Sequence, residues 1–357
     1  MTKTRVLIVD DSAIVRHLLT EALASEKDIE VIGTAPDPFV ARDKILALKP
    51  DVLTLDIEMP RMDGLTFLKK LMHYHPMPVI VISSLAQGGC ETTLEALRSG
   101  AVEVLAKPGG AYSVGELRMD LALRIRAAAA ARLGGPALEP APTPEESLPP
   151  AFESDASTVI AIGASTGGTE AILEVLKQLP ANSPGLVITQ HIPPVFSRAF
   201  AKRLNDICPM QVKEAEDGDA LEQGHALVAP GNFHMLLRRS PAGTFRVTVQ
   251  DGPRVCYQRP SVDVMFNSVA EAAGANAVGV LLTGMGSDGA RGLLKMKQAG
   301  ARTLAQDEAS CVVFGMPKEA IRLGAADQIL PLNRVPAAIL TQLGRSRPSL
   351  AREVPAH

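Results

Sequence analysis

The stretch Thr158-Val159-Ile160-Ala161-Ile162-Gly163-Ala164-Ser165-Thr166-Gly167-Gly168 decides how the chain is read. Its β-branched run ends in glycines, and Ile172, Val175, Leu176 and Leu179 then recur with helical spacing. That order predicts strand, tight turn and helix. A serine in such a turn is held at a strand tip, its hydroxyl beside the unpaired N–H groups of the following helix. This suits a nucleophile whose product is an oxyanion. The six residues Gly163–Gly168 also serve as a plain connection or as a phosphate cradle, because G-x-S-x-G is short and recurs by chance.

Composition sets the bounds. A chain of 357 residues has room for two domains with separate cores. Hydrophobic residues make up 46% and charged residues 21%, values of an ordinary globular protein. The net charge of −3 offers no basic field for nucleic acid or an anionic membrane. Cys90, Cys208, Cys256 and Cys311 are widely spaced and form no C-x-x-C pair, which argues against a disulfide framework and a zinc site. Asp10-Asp11 comes too early for a secretory signal, and no apolar run approaches about 18 residues. A cytoplasmic location without membrane insertion is expected.

Residues 1–126 alternate short apolar runs with helical patterns. Val6–Val9, Val31–Gly33, Val52–Leu55, Val79–Ile82 and Val102–Ala106 are predicted strands. Ala13–Ala24, Phe39–Leu48, Leu65–His73, Thr92–Arg98 and Val114–Arg132 are predicted helices, the last capped by Ser113 with Glu116. Five such units describe an α/β, doubly wound, mainly parallel sheet. Chemistry in such sheets gathers at the carboxyl ends of the strands. Those ends carry Asp10 and Asp11, Asp56, Ser83, and Lys107 before Pro108. Three converging carboxylates repel one another unless a divalent cation sits among them, and hard oxygen ligands favour Mg²⁺. The hydroxyl and the ammonium are then placed to hold a phosphoryl group.

This constellation closely resembles the receiver domain of two-component response regulators. The resemblance rests on Asp10-Asp11, the segment Asp56-Ile57-Glu58-Met59-Pro60-Arg61-Met62-Asp63-Gly64, Ser83 and Lys107-Pro108. It implies that Asp10, Asp11, Asp56 and the Glu58 backbone carbonyl bind Mg²⁺. It further implies that Asp56 is phosphorylated, that Ser83 and Lys107 contact the phosphoryl oxygens, and that a histidine kinase is the phosphodonor. One position departs: receivers often carry an aromatic residue three before the lysine, where this chain has Val104.

Residues 127–156 form the expected linker. An alanine run gives way to Gly134-Gly135-Pro136, and six prolines lie between Pro136 and Pro150. Such a segment is an extended tether; a proline-motif ligand is the alternative. Residues 346–357 are expected to be a flexible tail.

Residues 157–345 are expected to form a larger, Rossmann-like α/β domain. Predicted strands are Val159–Ile162, Leu186–Thr189, Ala226–Val228, Arg246–Val249, Val278–Leu282, Thr303–Ala305 and Gln328–Leu330, with Arg246–Val249 suited to an antiparallel hairpin. Predicted helices are Thr169–Leu179, Val195–Cys208, Val262–Ala273, Ala290–Ala299 and Met316–Leu323. No G-x-G-x-x-G or Walker motif follows a strand, so the dinucleotide alternative loses support. A serine nucleophile needs a base and an orienting acid. His191 directly follows a buried-type strand; His234, in the turn after Ala229-Pro230-Gly231, is its rival. Asp288 lies in the glycine-rich loop Thr283-Gly284-Met285-Gly286-Ser287-Asp288-Gly289, with Asp263 as a second candidate. The order Ser…His…Asp differs from the usual α/β-hydrolase order.

These segments resemble the catalytic domain of the chemotaxis protein-glutamate methylesterases. The matching stretches are Ile162–Gly168, Gln190-His191-Ile192-Pro193, Ala229–Met235, Arg259-Pro260-Ser261-Val262-Asp263 and Leu282–Gly289. The resemblance implies a Ser165–His191–Asp288 triad, oxyanion binding by the Met285 N–H, and a supporting role for Thr166. It also implies hydrolysis of glutamate methyl esters on methyl-accepting receptors, deamidation of receptor glutamines, and no cofactor in the esterase domain. Two rivals remain on sequence: a receiver-regulated serine hydrolase acting on another ester, and a non-enzymatic response regulator. The latter, if a transcription factor, should carry a basic recognition helix, and none is visible.

Overall fold

Val6, Leu7, Ile8 and Val9 are all buried, as a strand covered on both faces requires. They belong to β1 (Thr4–Val9), and the first half of the chain continues it as a strict alternation. α1 (Ala13–Leu23), β2 (Ile29–Ala35), α2 (Pro38–Leu48), β3 (Val52–Asp56) and α3 (Gly64–Tyr74) come first. β4 (Val79–Ser83), α4 (Gln87–Arg98), β5 (Glu103–Ala106) and α5 (Val114–Ala129) complete it. The strands form one parallel sheet in the order β2-β1-β3-β4-β5. Side-chain caps start three of the helices: Ser12 on α1, Asp37 on α2 and Asp63 on α3. The computed structural model describes residues 3–83, 87–107, 114–133 and 157–344. The expected cap Ser113, the proline-rich part of the expected linker and the expected tail 346–357 lie outside the described residues.

The second half opens with β6 (Val159–Ala164), α6 (Gly168–Leu176), β7 (Gly185–Gln190) and α7 (Phe196–Ile207). A strand-rich segment follows: β8 (Gln211–Glu214), β9 (Ala220–Leu221), β10 (His225–Val228), β11 (His234–Arg239) and β12 (Phe245–Gln250). The alternation then resumes with α8 (Val262–Ala272), β13 (Ala277–Leu281), α9 (Ala290–Gln298) and β14 (Arg302–Gln306). α10 (Met316–Arg322), β15 (Gln328–Leu330) and α11 (Val335–Gly344) end it. Seven strands form a parallel sheet ordered β15-β14-β13-β6-β7-β10-β8, while β11-β12-β9 make a small antiparallel sheet.

Both sheets are α/β and mainly parallel, as expected, and β12 is the expected hairpin strand. The differences have local causes. β8 was not expected because Gln211 and Lys213 are exposed and only Val212 is fully buried, the pattern of a sheet edge. β11 begins at His234, which therefore starts a strand and does not lie in a turn. α4 begins five residues before Thr92, since Gly88-Gly89 interrupts the apolar pattern of its first turn. α11 was missed because Pro336 near its start reads as a breaker, although proline is tolerated in a first turn.

What positions the site is the strand order. In the larger sheet the chain runs outward from β6 in both directions, so the topological switch lies between β6 and β13. There β6 passes directly beneath α8: a Cβ on Gly163 would overlap Val262 Cγ1. Gly163→Ala is therefore expected to destabilise the second domain by about 1–3 kcal/mol through overpacking, read as a lower urea midpoint, and Val262→Ala should recover part of that loss. A wild-type midpoint for Gly163→Ala would contradict the packing described.

Candidate active site

Ser165 follows the last residue of β6, and its backbone is gripped on every side. Its N–H donates to Thr283 O at 3.0 Å, and its carbonyl accepts from Gly168 N at 2.7 Å and Gln190 Nε2 at 2.8 Å. Gly167 turns the chain at φ +77°, a conformation that favours glycine, and α6 starts at once. Among the described residues no side chain caps α6. Its first N–H groups and Ser165, which is itself largely buried, therefore share one strand tip.

His191 stands at the neighbouring tip, after β7, with its N–H donating to Ala164 O at 3.2 Å. Its Nε2 meets Asp288 Oδ2 at 2.8 Å, both side chains being almost fully buried. The remaining ring nitrogen, Nδ1, is buried without a hydrogen-bond partner among the described residues. Asp288 comes from the loop after β13. Its Oδ1 accepts from Ser261 Oγ (2.8 Å), Asp263 N (3.0 Å) and Gly289 N (3.1 Å), and its Oδ2 also accepts from Val262 N (2.7 Å). The carboxylate thus rests on the N-terminus of α8. Burial alone would raise its pKa, but His191, Asp263 N–H and the Ser261 hydroxyl outweigh burial and hold it below the usual carboxylate range.

The rival candidates fall into supporting places. His234 Nε2 bonds Pro253 O at 2.9 Å, where a carbonyl can only accept, and Nδ1 accepts from Ser261 N at 3.3 Å. Both ring nitrogens are used in holding the loop that holds Asp288. Asp263 accepts from Gly292 N at 2.6 Å, and burial, followed by the nearby Asp288 charge, raises its pKa. Cys256, Asp263 and Asp288 bring ligand atoms within 4.8 Å of one another, yet both Asp288 oxygens are already saturated by donors. Met285 lies between Gly284, whose Cα packs on Ser165, and Gly286 at φ +93°.

Two residues escaped the sequence reasoning. Gln190 clamps the Ser165 carbonyl, as described. Glu103, from β5 in the first half of the chain, accepts from Thr166 Oγ1 at 2.8 Å. The cavity lined by Ser165 and His191 is walled on one side by Thr93, Leu94, Leu97, Val102, Glu103 and Val104. The available signal for Glu103 was a lone charge inside an apolar strand.

The smaller sheet gathers its own cluster at the β1/β3 switch. Asp10, Asp11 and Asp56 bring carboxylate oxygens within 4.8 Å of one another. Lys107 Nζ lies 2.7 Å from Asp56 Oδ2 and 3.6 Å from Asp10 Oδ2. Asp56 Oδ1 accepts from Glu58 N at 3.0 Å, and Ser83 is fully buried at the end of β4. Among the described residues Asp10 Oδ2 is buried with no hydrogen-bond partner. Burial pushes Asp56 up to about 6 despite the bond from Lys107, and Asp10 is raised for the same reason. An oxygen-only trio that resists carrying its charges alone fits a hard divalent cation.

The sequence profile of the CheB methylesterase family matches residues 160–339, and that of the response regulator receiver domain matches residues 6–115. A Syntrophus aciditrophicus protein named protein-glutamate methylesterase/protein-glutamine glutaminase 2 is 57% identical over 336 residues, spanning 94% of this chain and 98% of its own. An Escherichia coli O157:H7 protein of the same name, without the number, is 54% identical, spanning 96% of this chain and 98% of its own. The crystal structure of the Thermotoga maritima CheB methylesterase catalytic domain superposes with a TM-score of 0.50 at 37% identity, covering 52% of this chain and 97% of that one.

Ser261 caps α8 through Val264 N at 3.3 Å and also donates to Asp288. Ser261→Ala is expected to cost about 2–5 kcal/mol, the sum of a lost cap and a lost bond to a carboxylate. Chemical denaturation measures this, and a change within about 0.5 kcal/mol would mean that Asp288 does not depend on the hydroxyl.

Proposed function

The chain belongs to the CheB methylesterase family, with a response-regulator receiver domain ahead of the esterase domain, and from that premise we propose that it hydrolyses glutamate γ-methyl esters on methyl-accepting chemotaxis receptors and deamidates receptor glutamines. What supports this is that Ser165, His191 and Asp288 follow the adjacent strands β6, β7 and β13, with His191 bonded to Asp288 and lining one cavity with Ser165. Ser165 Oγ attacks the ester carbonyl while His191 Nδ1, the ring nitrogen left open by Asp288, takes its proton. Asp288 fixes the ring and stabilises its charged form. The Met285 N–H and the open end of α6 hold the oxyanion; losing one such donor typically costs about 3 kcal/mol of barrier. His191 returns the proton to the leaving oxygen and methanol departs. Water, deprotonated by the same histidine, then releases the glutamate carboxylate and restores Ser165. An amide follows the same course and releases ammonia.

In the receiver domain, Asp10, Asp11, Asp56 and the Glu58 carbonyl would hold Mg²⁺, which when bound neutralises charge around a phosphoryl group. Asp56 is the acceptor, a histidine kinase the donor, and Ser83 and Lys107 bind the phosphoryl oxygens. Receiver residues wall the esterase cavity, and this supports an inhibited unphosphorylated form that phosphorylation opens. Among the described residues no helix is long and apolar enough to cross a membrane; the site of action we propose is the cytoplasm, on receptor tails. We place the domain limits at 1–126 and 157–345. The helix before the linker runs on to Ala129, and Arg132 pairs with Glu308 of the esterase domain.

Ser165→Ala, His191→Ala and Asp288→Asn should each remove most methanol release from methylated receptor, while His234→Ala retains the base. Residues acting as one unit lose activity non-additively, so Ser165→Ala/His191→Ala should be little worse than either alone. Methanol released from a small generic ester but not from receptor would reassign the substrate. An active His191→Ala beside a dead His234→Ala would reassign the base.

Acetyl phosphate with Mg²⁺ should label wild type and accelerate its hydrolysis, and do neither in Asp56→Asn. Lys107→Ala should keep Mg²⁺ affinity but lose most of the acceleration. Labelling of Asp56→Asn at the wild-type level places the acceptor elsewhere.

A further inference from the structure

Glu103 is a buried carboxylate in the run Val102-Glu103-Val104-Leu105-Ala106. A buried charge is costly unless it is paired and hydrogen-bonded, and both of its oxygens are accounted for. Oε1 takes Arg124 Nη1 at 2.9 Å, from within the receiver, and Val104 N at 3.1 Å. Oε2 reaches into the other domain, where Thr166 Oγ1 donates to it at 2.8 Å. Thr166 is the residue after the nucleophile, and Glu103 lines the same cavity as Ser165 and His191. An apolar wall would shut that cavity equally well. The receiver instead presents the γ-carboxylate of a glutamate, the chemical group that the proposed reaction produces.

We propose that Glu103 is bound in the esterase site as an intramolecular stand-in for a substrate's glutamate side chain, which assigns Thr166 Oγ1 as the donor that reads a γ-oxygen of the incoming glutamyl group. This rests on the esterase reading above. Because both ligands need one hydroxyl, the receiver competes with substrate and leaves the chemical step untouched. Tethering in one chain gives Glu103 a high effective concentration, so a weak contact suffices. The unphosphorylated chain should therefore show a raised KM with an ordinary kcat. Thr166 is a recognition residue in this scheme, and Glu103 takes no part in catalysis.

The test is steady-state methanol release by the full unphosphorylated chain from a short blocked peptide carrying one glutamyl γ-methyl ester. Glu103→Ala should lower KM about fivefold or more while kcat stays within about twofold. Glu103→Gln keeps the size and one accepting oxygen, guards against misfolding around Arg124, and should fall between the two. The free-acid form of the peptide should inhibit both variants more strongly than wild type. In the Glu103→Ala background, Thr166→Val should raise KM again and Thr166→Ser should restore it. A wild-type KM in both Glu103 variants overturns the proposal, as does a gain confined to kcat; so does a KM in the Glu103→Ala background that ignores Thr166→Val, which a merely steric wall would give. A wild-type chain that releases methanol from neither peptide nor receptor overturns the esterase reading and this proposal with it.

Discussion

The seat of the Asp288 carboxylate on the N-terminus of α8 is the constraint on which the esterase site depends. Removing a carboxylate from water costs several kcal/mol, and here three backbone N–H groups, one hydroxyl and one imidazole share the task of offsetting it. The arrangement fixes more than the acid. It ties the loop after β13 to the start of α8, fixes the His191 ring through Nε2, and so leaves Nδ1 as the only basic atom that ring can offer. Since Oδ2 is divided between His191 and Val262 N, part of its charge is already compensated by the helix. Asp288 is thereby better suited to orienting the imidazole than to pulling its proton.

A second consequence follows from strand order. Each sheet carries its chemistry at its own switch point, β1/β3 in the receiver and β6/β13 in the esterase domain. β5 touches both. Just past its end, Lys107 N–H donates to Ser83 O while Nζ bonds Asp56, and at its start Glu103 bonds Thr166. Three residues of extended backbone separate the two contacts, so any displacement of Lys107 by a phosphoryl group acts on a short, stiff element. With Val104 in place of an aromatic side chain, the strand and its Glu103 carboxylate offer a coupling route that needs no rotating ring.

Much of this was legible in the sequence because it is written in local periodicity. Buried parallel strands are continuous apolar runs, and residues following them in chain order land at one sheet edge, which is why Asp10, Asp56, Lys107, Ser165, His191 and Asp288 could be singled out. What was not legible depends on faces and on distance along the chain. β8 alternates polar and apolar at an edge, and β11 carries two exposed arginines, so neither shows a buried run. The work of His234 and Ser261 in seating Asp288 needs three loops brought together by the fold. Glu103 was visible as an oddity, but its partner lies 63 positions away in the other domain.

The geometry at the end of α5 sharpens the role of that partner. Arg132 N–H donates to Val312 O at 3.0 Å and its guanidinium pairs with Glu308, so the chain leaving α5 already lies on the esterase domain within the expected linker. Val312 packs on Gly167, and the adjacent Val313 N–H donates to Thr283 Oγ1, which in turn donates to Thr166 O. The receiver half therefore grips the nucleophile turn from two sides, through Val312 and through Thr166. The two grips differ in kind. Arg132 and Glu308 are both more than half exposed, and such pairs contribute little. The Glu103–Thr166 bond is buried, where a lost partner leaves a carboxylate oxygen unsatisfied. Specificity between the domains thus resides at the residue next to the nucleophile, where opening the interface and freeing the site are one event.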